Sequence, residues 1–123
     1  MSASNRIAVV DYGMGNLRSV VQALGHVASS RAEVMLTADP AVVSAADRVV
    51  FPGQGAMRDC MAELTASGLR QAVLDAACSK PFFGICVGAQ LLLEHSEEGD
   101  TPALGFFPGN VRRFASGQST ADG

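Results

Sequence analysis

The chain has 123 residues, of which 48% are apolar and 17% are charged, and its formal net charge is −3 with a pI near 5.2. A chain of this length predicts one domain, and this apolar fraction is sufficient to bury a core. The acidic balance, the few aromatic residues and the lack of a basic patch argue against a nucleic-acid-binding protein.

Cysteine and histidine usage limits the kind of site that the chain can form. The three cysteines form no CxxC pair and only two histidines are present, so the sequence predicts neither a disulfide framework nor a metal site, and no cofactor is expected. Free cysteines favour a reducing cytoplasm. The polar residues 1–5 and the lack of any long apolar run argue against a signal peptide or a membrane span.

The first part of the chain predicts a strand, a turn and a helix. The apolar run Ile7–Val10 predicts a strand that is buried on both faces of a parallel sheet. The turn 11–16 leads into a helix that is predicted to end at Gly25 and His26. The G-x-G pattern in this turn is not a dinucleotide fingerprint, because arginine stands where the third glycine is needed.

Two further strands are predicted in the middle of the chain. Glu33–Leu36 is the second strand, after which Asp39 caps a short helix that begins at Pro40. Arg48–Phe51 is the third strand, and it continues into the glycine-bearing loop 52–56. Open α/β sheets bind their ligands at the carboxyl ends of the strands, so this loop is expected at the functional edge.

Two helices are predicted next, one from near Met57 and one after Gly68, and Lys80-Pro81 ends the second and begins a fourth strand. Strand and helix therefore alternate four times. This alternation predicts an α/β fold with a doubly wound, mostly parallel sheet, right-handed crossovers and flanking helices.

The last part of the chain carries weaker patterns. Residues 95–100 are interpreted as a solvated acidic loop without a function. Residues 105–109 predict a turn and residues 111–114 one more strand. The small, polar residues 115–123 predict a disordered tail.

The fourth strand leads into the strongest pattern in the sequence, Gly84-x-Cys86-x-Gly88, which has the form of a nucleophile elbow with cysteine in place of serine. Such an elbow holds its central residue in a strained backbone conformation, and the flanking glycines let the neighbouring main chain pack without a β-carbon. A helix is expected to follow and to point its N-terminus at the sulfur, which favours the thiolate.

Most isolated cysteines are inert core residues, and Cys60 and Cys78 are interpreted as members of that class. Cys86 is interpreted as a nucleophile, because the strand, the flanking glycines and the following helix occur together around it.

These stretches resemble a known family. Residues 84–92, GICVGAQLL, resemble the nucleophile motif of class I (triad) glutamine amidotransferases, and residues 51–56, FPGQGA, resemble their oxyanion-strand motif. Within that family, residues 11–17 and 104–114 are similar to the glutaminase subunit of imidazole glycerol phosphate synthase, which serves histidine biosynthesis. The resemblance extends from Ile7 to Phe114 and implies a flavodoxin-like fold, with residues 1–114 as the N-terminal part of one amidotransferase domain.

The resemblance also implies a reaction and its residues. Glutamine is hydrolysed to glutamate, and the ammonia passes to a barrel-shaped cyclase subunit that makes imidazole glycerol phosphate. Cys86 would form a glutamyl thioester. The oxyanion would accept hydrogen bonds from the Val87 N–H and from an N–H of the Gly53-Gln54 peptide.

Glutamine itself would be held by Gly55 and Gln90, although Gln90 is equally well explained as a polar residue on an ordinary helix.

The family also has a histidine and a glutamate in a downstream His-Pro-Glu-like segment, which the 123 residues do not contain. His95 is expected too far from Cys86 along the elbow helix, and His26 is expected at the opposite edge of the sheet. The chain by itself is therefore expected to be inactive.

Three hypotheses remain. The chain is part of a glutaminase that needs a further C-terminal portion, or a non-catalytic module that binds a cyclase-like partner. The third is another cysteine-elbow α/β protein, such as a small hydrolase, which leaves the 52–55 loop unexplained.

Overall fold

A computed structural model of the chain describes residues 5–117. Within that range the chain forms a four-stranded sheet, a small three-stranded sheet, five α-helices and one 3-10 helix. In chain order the elements are β1 Arg6–Val10, α1 Leu17–Ala28, β2 Glu33–Thr37, α2 Pro40–Ala45, β3 Arg48–Phe51, α3 Met57–Ala66, α4 Arg70–Ser79, β4 Phe82–Gly84, α5 Val87–Gln90, β5 His95–Ser96, the 3-10 helix Glu98–Asp100, β6 Thr101–Pro102 and β7 Asn110–Val111.

The larger sheet is parallel throughout, with the strand order β2-β1-β3-β4. The central strand β1 buries Ala8, Val9 and Val10 completely, because neighbours cover both of its faces. The predicted α/β fold, the four parallel strands and the buried first strand are all confirmed.

Helices cover the two faces of this sheet unequally. Helix α1 connects β1 to β2 on one side of it, and α2 connects β2 back to β3 on the other side of β1. Because the two connections run in opposite directions across the sheet, right-handed crossovers put α1 and α2 on opposite faces. The α2 face carries the main core, in which Val43, Phe51, Leu64 and Val73 are fully buried. By contrast, α1 contains no fully buried residue.

Two helix boundaries test the predictions about caps. Asp39 caps α2 as expected, since its carboxylate accepts a hydrogen bond from the Ala41 N–H at 2.9 Å. The predicted end of α1 at Gly25 and His26 is wrong, because the helix continues to Ala28. It ends at Ser29, which has a positive φ of 53° and donates its N–H to the Gly25 carbonyl.

The elbow helix α5 is shorter than expected and consists of one turn. The carbonyls of Leu91, Leu92 and Leu93 accept hydrogen bonds from the N–H groups of Leu104, Phe107 and Gly105, respectively. These carbonyls therefore form hydrogen bonds with residues 104–107 and do not continue the helix. The side chains of Leu91 and Leu92 are buried in the core.

In the acidic segment 95–100, residues 97–100 are exposed, as the interpretation as a solvated loop predicts, but the segment contains regular structure. It begins with β5 in the small sheet of order β6-β5-β7, and both Ser96 and Thr101 are buried. Local hydrogen bonds satisfy these hydroxyls, since Ser96 accepts the Glu98 N–H and Thr101 donates to the Glu98 carbonyl. The predicted last strand is limited to β7.

Residues 118–123 of the predicted tail lie outside the described residues, and the single domain over residues 1–114 stays a prediction. None of the helices between residues 5 and 117 combines the length and the apolar character that crossing a membrane requires.

Candidate active site

The loops after β1 and β3 and the elbow after β4 meet at the carboxyl edge of the parallel sheet. The N–H of Ile85, in the elbow, donates to the carbonyl of Phe51 at 3.0 Å. A β-carbon built on Gly53 would lie 2.6 Å from the Gly88 nitrogen and 2.9 Å from the Tyr12 hydroxyl. The three segments are therefore in van der Waals contact, as their positions after the strands predict.

Cys86 has the backbone conformation of a nucleophile elbow, with φ 56° and ψ −120°. A non-glycine residue with positive φ is strained and persists only where the surroundings enforce it. The residue is exposed, so its thiol is accessible from solvent. The expected strained conformation is confirmed.

The spacing of the two elbow glycines has a direct steric cause. A β-carbon at position 84 would lie 2.8 Å from the Cα of Ala89, and one at position 88 would overlap the carbonyl oxygen of Phe51. Only glycine lets the strand before Cys86 and the turn after it pack this closely.

The sequence predicts a helix that points its N-terminus at the sulfur, and the helix that follows Cys86 is one turn long. Because α5 has four residues, any dipole of this turn is small. The carbonyl of Cys86 accepts hydrogen bonds from the N–H groups of Ala89 and Gln90. Among residues 5–117, no hydrogen bond reaches the Cys86 thiol.

The loop Pro52–Ala56, called here the β3 loop, is half buried. Pro52 and Gly53 are buried, whereas Gln54 and Gly55 are exposed. Gly55 has a φ of 98°, a conformation that glycine adopts without strain. The exposed part of the loop faces solvent at the same edge as Cys86.

Two buried side chains, Tyr12 and Cys60, donate hydrogen bonds to the backbone of this loop. The sequence patterns predicted neither of them as a site residue. The hydroxyl of Tyr12 donates to the Pro52 carbonyl at 2.7 Å, and the thiol of Cys60 donates to the Gln54 carbonyl at 3.4 Å. Burial raises the pKa of the Tyr12 hydroxyl, and the adjacent Cys60 thiol raises it further. Burial also raises the pKa of Cys60. Both groups therefore stay protonated donors at neutral pH.

A cavity of about 480 Å³ opens beside the elbow. Gln90, one helical turn after Cys86, forms part of its wall, and Cys86 lies outside the lining. The other walls are Ser96, Glu97, Glu98, Val111, Arg112 and Arg113. The cavity thus offers carboxylates and guanidinium groups around one amide side chain. The acidic residues come from the segment interpreted as a loop without a function, and only the pairing of β5 with β7 brings them to the arginines.

The remaining cysteines and the histidines lie elsewhere. Cys60 is buried as expected, but Cys78 is exposed, so its assignment to the core is wrong. The inward face of α4 carries Ala72, Val73 and Ala76, and Cys78 lies off that face.

His95 lies in β5, beyond the one-turn elbow helix, so the expectation that a continuous helix separates it from Cys86 is wrong. Its Nε2 is hydrogen bonded to the Asp100 carboxylate at 2.7 Å. His26 lies in the last turn of α1, at the edge of the sheet opposite Cys86.

Comparisons with known proteins identify the family and the fold. The family described as glutamine amidotransferase class-I matches residues 8–113. A solved structure described as a crystal structure of glutamine amidotransferase has the same fold, with a TM-score of 0.70 at 21% identity, over 91% of this chain and 58% of that chain.

Curated relatives are more similar in sequence. The imidazole glycerol phosphate synthase subunit HisH of Dechloromonas aromatica is 70% identical over 91% of this chain and 52% of its own length. The subunit of the same name from Chromobacterium violaceum is 63% identical over 92% of this chain and 53% of its own length. The chain spans about half the length of the curated relatives it matches. The match over residues 8–113 nevertheless shows that the chain belongs to the class-I glutamine amidotransferase family.

Proposed function

We propose that this chain carries the nucleophile and the oxyanion loop of a glutaminase that supplies ammonia to a cyclase subunit of imidazole glycerol phosphate synthase, in histidine biosynthesis. The main support is the backbone of Cys86, which is strained at φ 56° and exposes its thiol beside the β3 loop. The names of the relatives support the choice of pathway and the existence of a partner.

The reaction would begin with the Cys86 thiolate. It attacks the carboxamide carbon of glutamine, and the negative charge that develops on the oxygen accepts hydrogen bonds from the Val87 N–H and from an N–H of the Gly53-Gln54 peptide. The carbon–nitrogen bond then breaks, ammonia leaves with an added proton, and a glutamyl thioester remains. Water hydrolyses the thioester to glutamate and regenerates the thiol.

The cavity beside Gln90 is the proposed site for the amino-acid end of glutamine. Free glutamine carries an ammonium and a carboxylate on one carbon, and the cavity presents carboxylates from Glu97 and Glu98 near guanidinium groups of Arg112 and Arg113. Charge-assisted hydrogen bonds of this kind give both orientation and affinity. Gln90 and Gly55 would contact the carboxamide end, which reaches towards Cys86.

Proton transfer is assigned to residues outside this sequence. The thiol must lose a proton and the leaving ammonia must gain one, but His95 is paired with Asp100 and His26 lies at the far edge of the sheet. The family resemblance supplies a histidine and a glutamate for this role. The three cysteines are unpaired, which supports a reducing, cytoplasmic location.

The nucleophile can be tested without the missing base. The γ-p-nitrophenyl ester of L-glutamate has a leaving group that needs no protonation, so attack by Cys86 releases p-nitrophenolate and leaves the same glutamyl thioester. We expect a burst of one equivalent of p-nitrophenolate per chain. The burst should disappear in Cys86→Ser and persist in Cys78→Ser, which removes another exposed thiol. A burst that survives in Cys86→Ser would reject the proposal.

A further inference from the structure

Two buried side chains hold the β3 loop, and the proposed reaction does not use either of them. We propose that Tyr12 and Cys60 are positioning residues that fix the backbone of the β3 loop for oxyanion binding. This inference rests on the proposed function of the Gly53-Gln54 peptide. It concerns residues outside the lining of the proposed glutamine cavity.

The two hydrogen bonds fix alternate peptides of the loop. In a trans peptide the carbonyl and the N–H point in opposite directions. Tyr12 draws the Pro52 carbonyl towards the core, which turns the Gly53 N–H away from it, and Cys60 does the same to the peptide after Gln54. The Gly53-Gln54 peptide, the proposed oxyanion donor, is thereby held between two anchored peptides.

The contact of Tyr12 also reaches the elbow. A β-carbon on Gly53 would lie 2.9 Å from the Tyr12 oxygen and 2.6 Å from the Gly88 nitrogen. The Tyr12 hydroxyl and the elbow backbone therefore both close the space beside the α-carbon of Gly53. A change in the position of Gly53 would therefore change its distance from the two elbow residues that follow Cys86.

Both donors are suited to a fixed role. Tyr12 is 3% exposed and Cys60 is fully buried, so both donor groups are shielded from solvent. The Tyr12 ring packs on Phe51 with ring centroids 5.3 Å apart, which fixes the direction of the hydroxyl. Burial raises the pKa of both groups and keeps them protonated, so they act as hydrogen-bond donors across the neutral range.

The backbone order of the loop tests this inference directly. Tyr12→Phe keeps the ring on Phe51 and removes only the hydroxyl, and Cys60→Ala removes the thiol donor. In the wild-type chain we expect NMR order parameters near 0.85 for Gly53 and Gln54, as in rigid backbone, and values below about 0.6 in Tyr12→Phe combined with Cys60→Ala.

Two further variants separate loop positioning from general destabilisation. Cys60→Ser keeps a hydroxyl donor at the same place and should preserve the order of the loop. Val43→Ala shortens a fully buried side chain on α2 and should lower the melting temperature without loosening the loop. If the double variant loosens the loop no more than Val43→Ala does, the inference is wrong.

Reaction at Cys86 provides the functional readout. Tyr12→Phe should slow the p-nitrophenolate burst about 10-fold, which is less than the effect of removing an oxyanion donor outright. Alkylation of Cys86 by iodoacetamide forms no oxyanion, so its rate in Tyr12→Phe should equal that of the wild-type chain. An equal loss in both reactions would contradict positioning. A wild-type chain without a burst would reject the proposed function, whereas the order parameters would still decide whether Tyr12 and Cys60 fix the loop.

Discussion

Gly88 lies so close to Phe51 that a β-carbon at position 88 would overlap the Phe51 carbonyl oxygen. The same oxygen accepts the hydrogen bond from the Ile85 N–H at 3.0 Å. One carbonyl at the end of β3 is therefore enclosed by both sides of the elbow. This arrangement fixes the position of Cys86 relative to the loop that follows Phe51.

Replacing Gly88 with alanine should consequently be severe. The obstacle is main chain rather than the end of a flexible side chain, so the elbow and β3 must separate, and we expect the free energy of unfolding to fall by about 2–3 kcal/mol. Urea denaturation of purified Gly88→Ala measures this change.

Gly25→Ala is the matched control for that experiment. Gly25 lies within α1, and a β-carbon there meets nothing within 4 Å. We expect this variant to be more stable than wild type by about 0.5–1 kcal/mol, because alanine is favoured over glycine inside helices. Equal stability of Gly88→Ala and wild type would show that the elbow does not have the tight packing described.

Local patterns predicted the elements that depend on local chemistry. The apolar run at Ile7, the cap at Asp39 and the third strand Arg48–Phe51 all lie where the sequence places them. The strained backbone at Cys86 was also predictable, because only glycines two residues away on either side permit it. In each case the residues that form the pattern lie within a few positions of the feature that they predict.

Features that depend on distant partners were not predictable in the same way. The elbow helix is short because a segment more than ten residues later captures the carbonyls of Leu91 and Leu92. Likewise, the bond from Tyr12 to Pro52 joins residues 40 positions apart. No periodicity or spacing encodes such a contact, so the sequence predicted the strained elbow at Cys86 but not the residues that hold the loop.

The raised pKa of Cys60 predicts how stability depends on pH. Its thiol titrates at lower pH in the unfolded chain than in the folded one, because burial disfavours the thiolate. The protonated Cys60 thiol therefore makes its full contribution to the free energy of unfolding below pH 9, the ordinary pKa of the thiol. This contribution is lost as the pH rises towards the pKa of Cys60 in the folded chain.

Unfolding free energies measured between pH 8 and 10.5 test this expectation. Relative to Cys60→Ser, which does not titrate, the wild-type chain should lose up to about 1.4 kcal/mol per pH unit above pH 9. The comparison between the two proteins removes the effect of titrating groups that lie far from Cys60. Parallel curves for the two proteins would mean that Cys60 is accessible to water in the folded state.

Lys80 should stabilise the end of α2 through its ammonium group. The Nζ atom donates to the carbonyls of Ser44 at 2.7 Å and Ala46 at 2.8 Å, where the helix leaves its last carbonyls without intrahelical partners. A cation there also interacts favourably with the helix dipole. Lys80→Met keeps most of the side-chain length and removes the charge.

We expect Lys80→Met to cost about 1–2 kcal/mol of unfolding free energy, measured by urea denaturation. Arg70→Met is the control, because Arg70 is an exposed residue in the first turn of α4, where a cation is not favoured. A larger loss in Arg70→Met than in Lys80→Met would contradict a capping role for the ammonium.

The glutamine cavity gives the last prediction. If Glu98 binds the ammonium of the substrate, Glu98→Gln removes the charge but keeps the shape, and the glutamate ester should half-saturate the burst at about 10-fold higher concentration. The size of the burst at saturation should not change, because Glu98 does not touch the reacting carbon. Glu33→Gln, an exposed carboxylate on the edge strand β2, should leave both values unchanged. If Glu98→Gln lowers the saturated burst and leaves the half-saturating concentration unchanged, Glu98 does not bind the amino-acid end of the substrate.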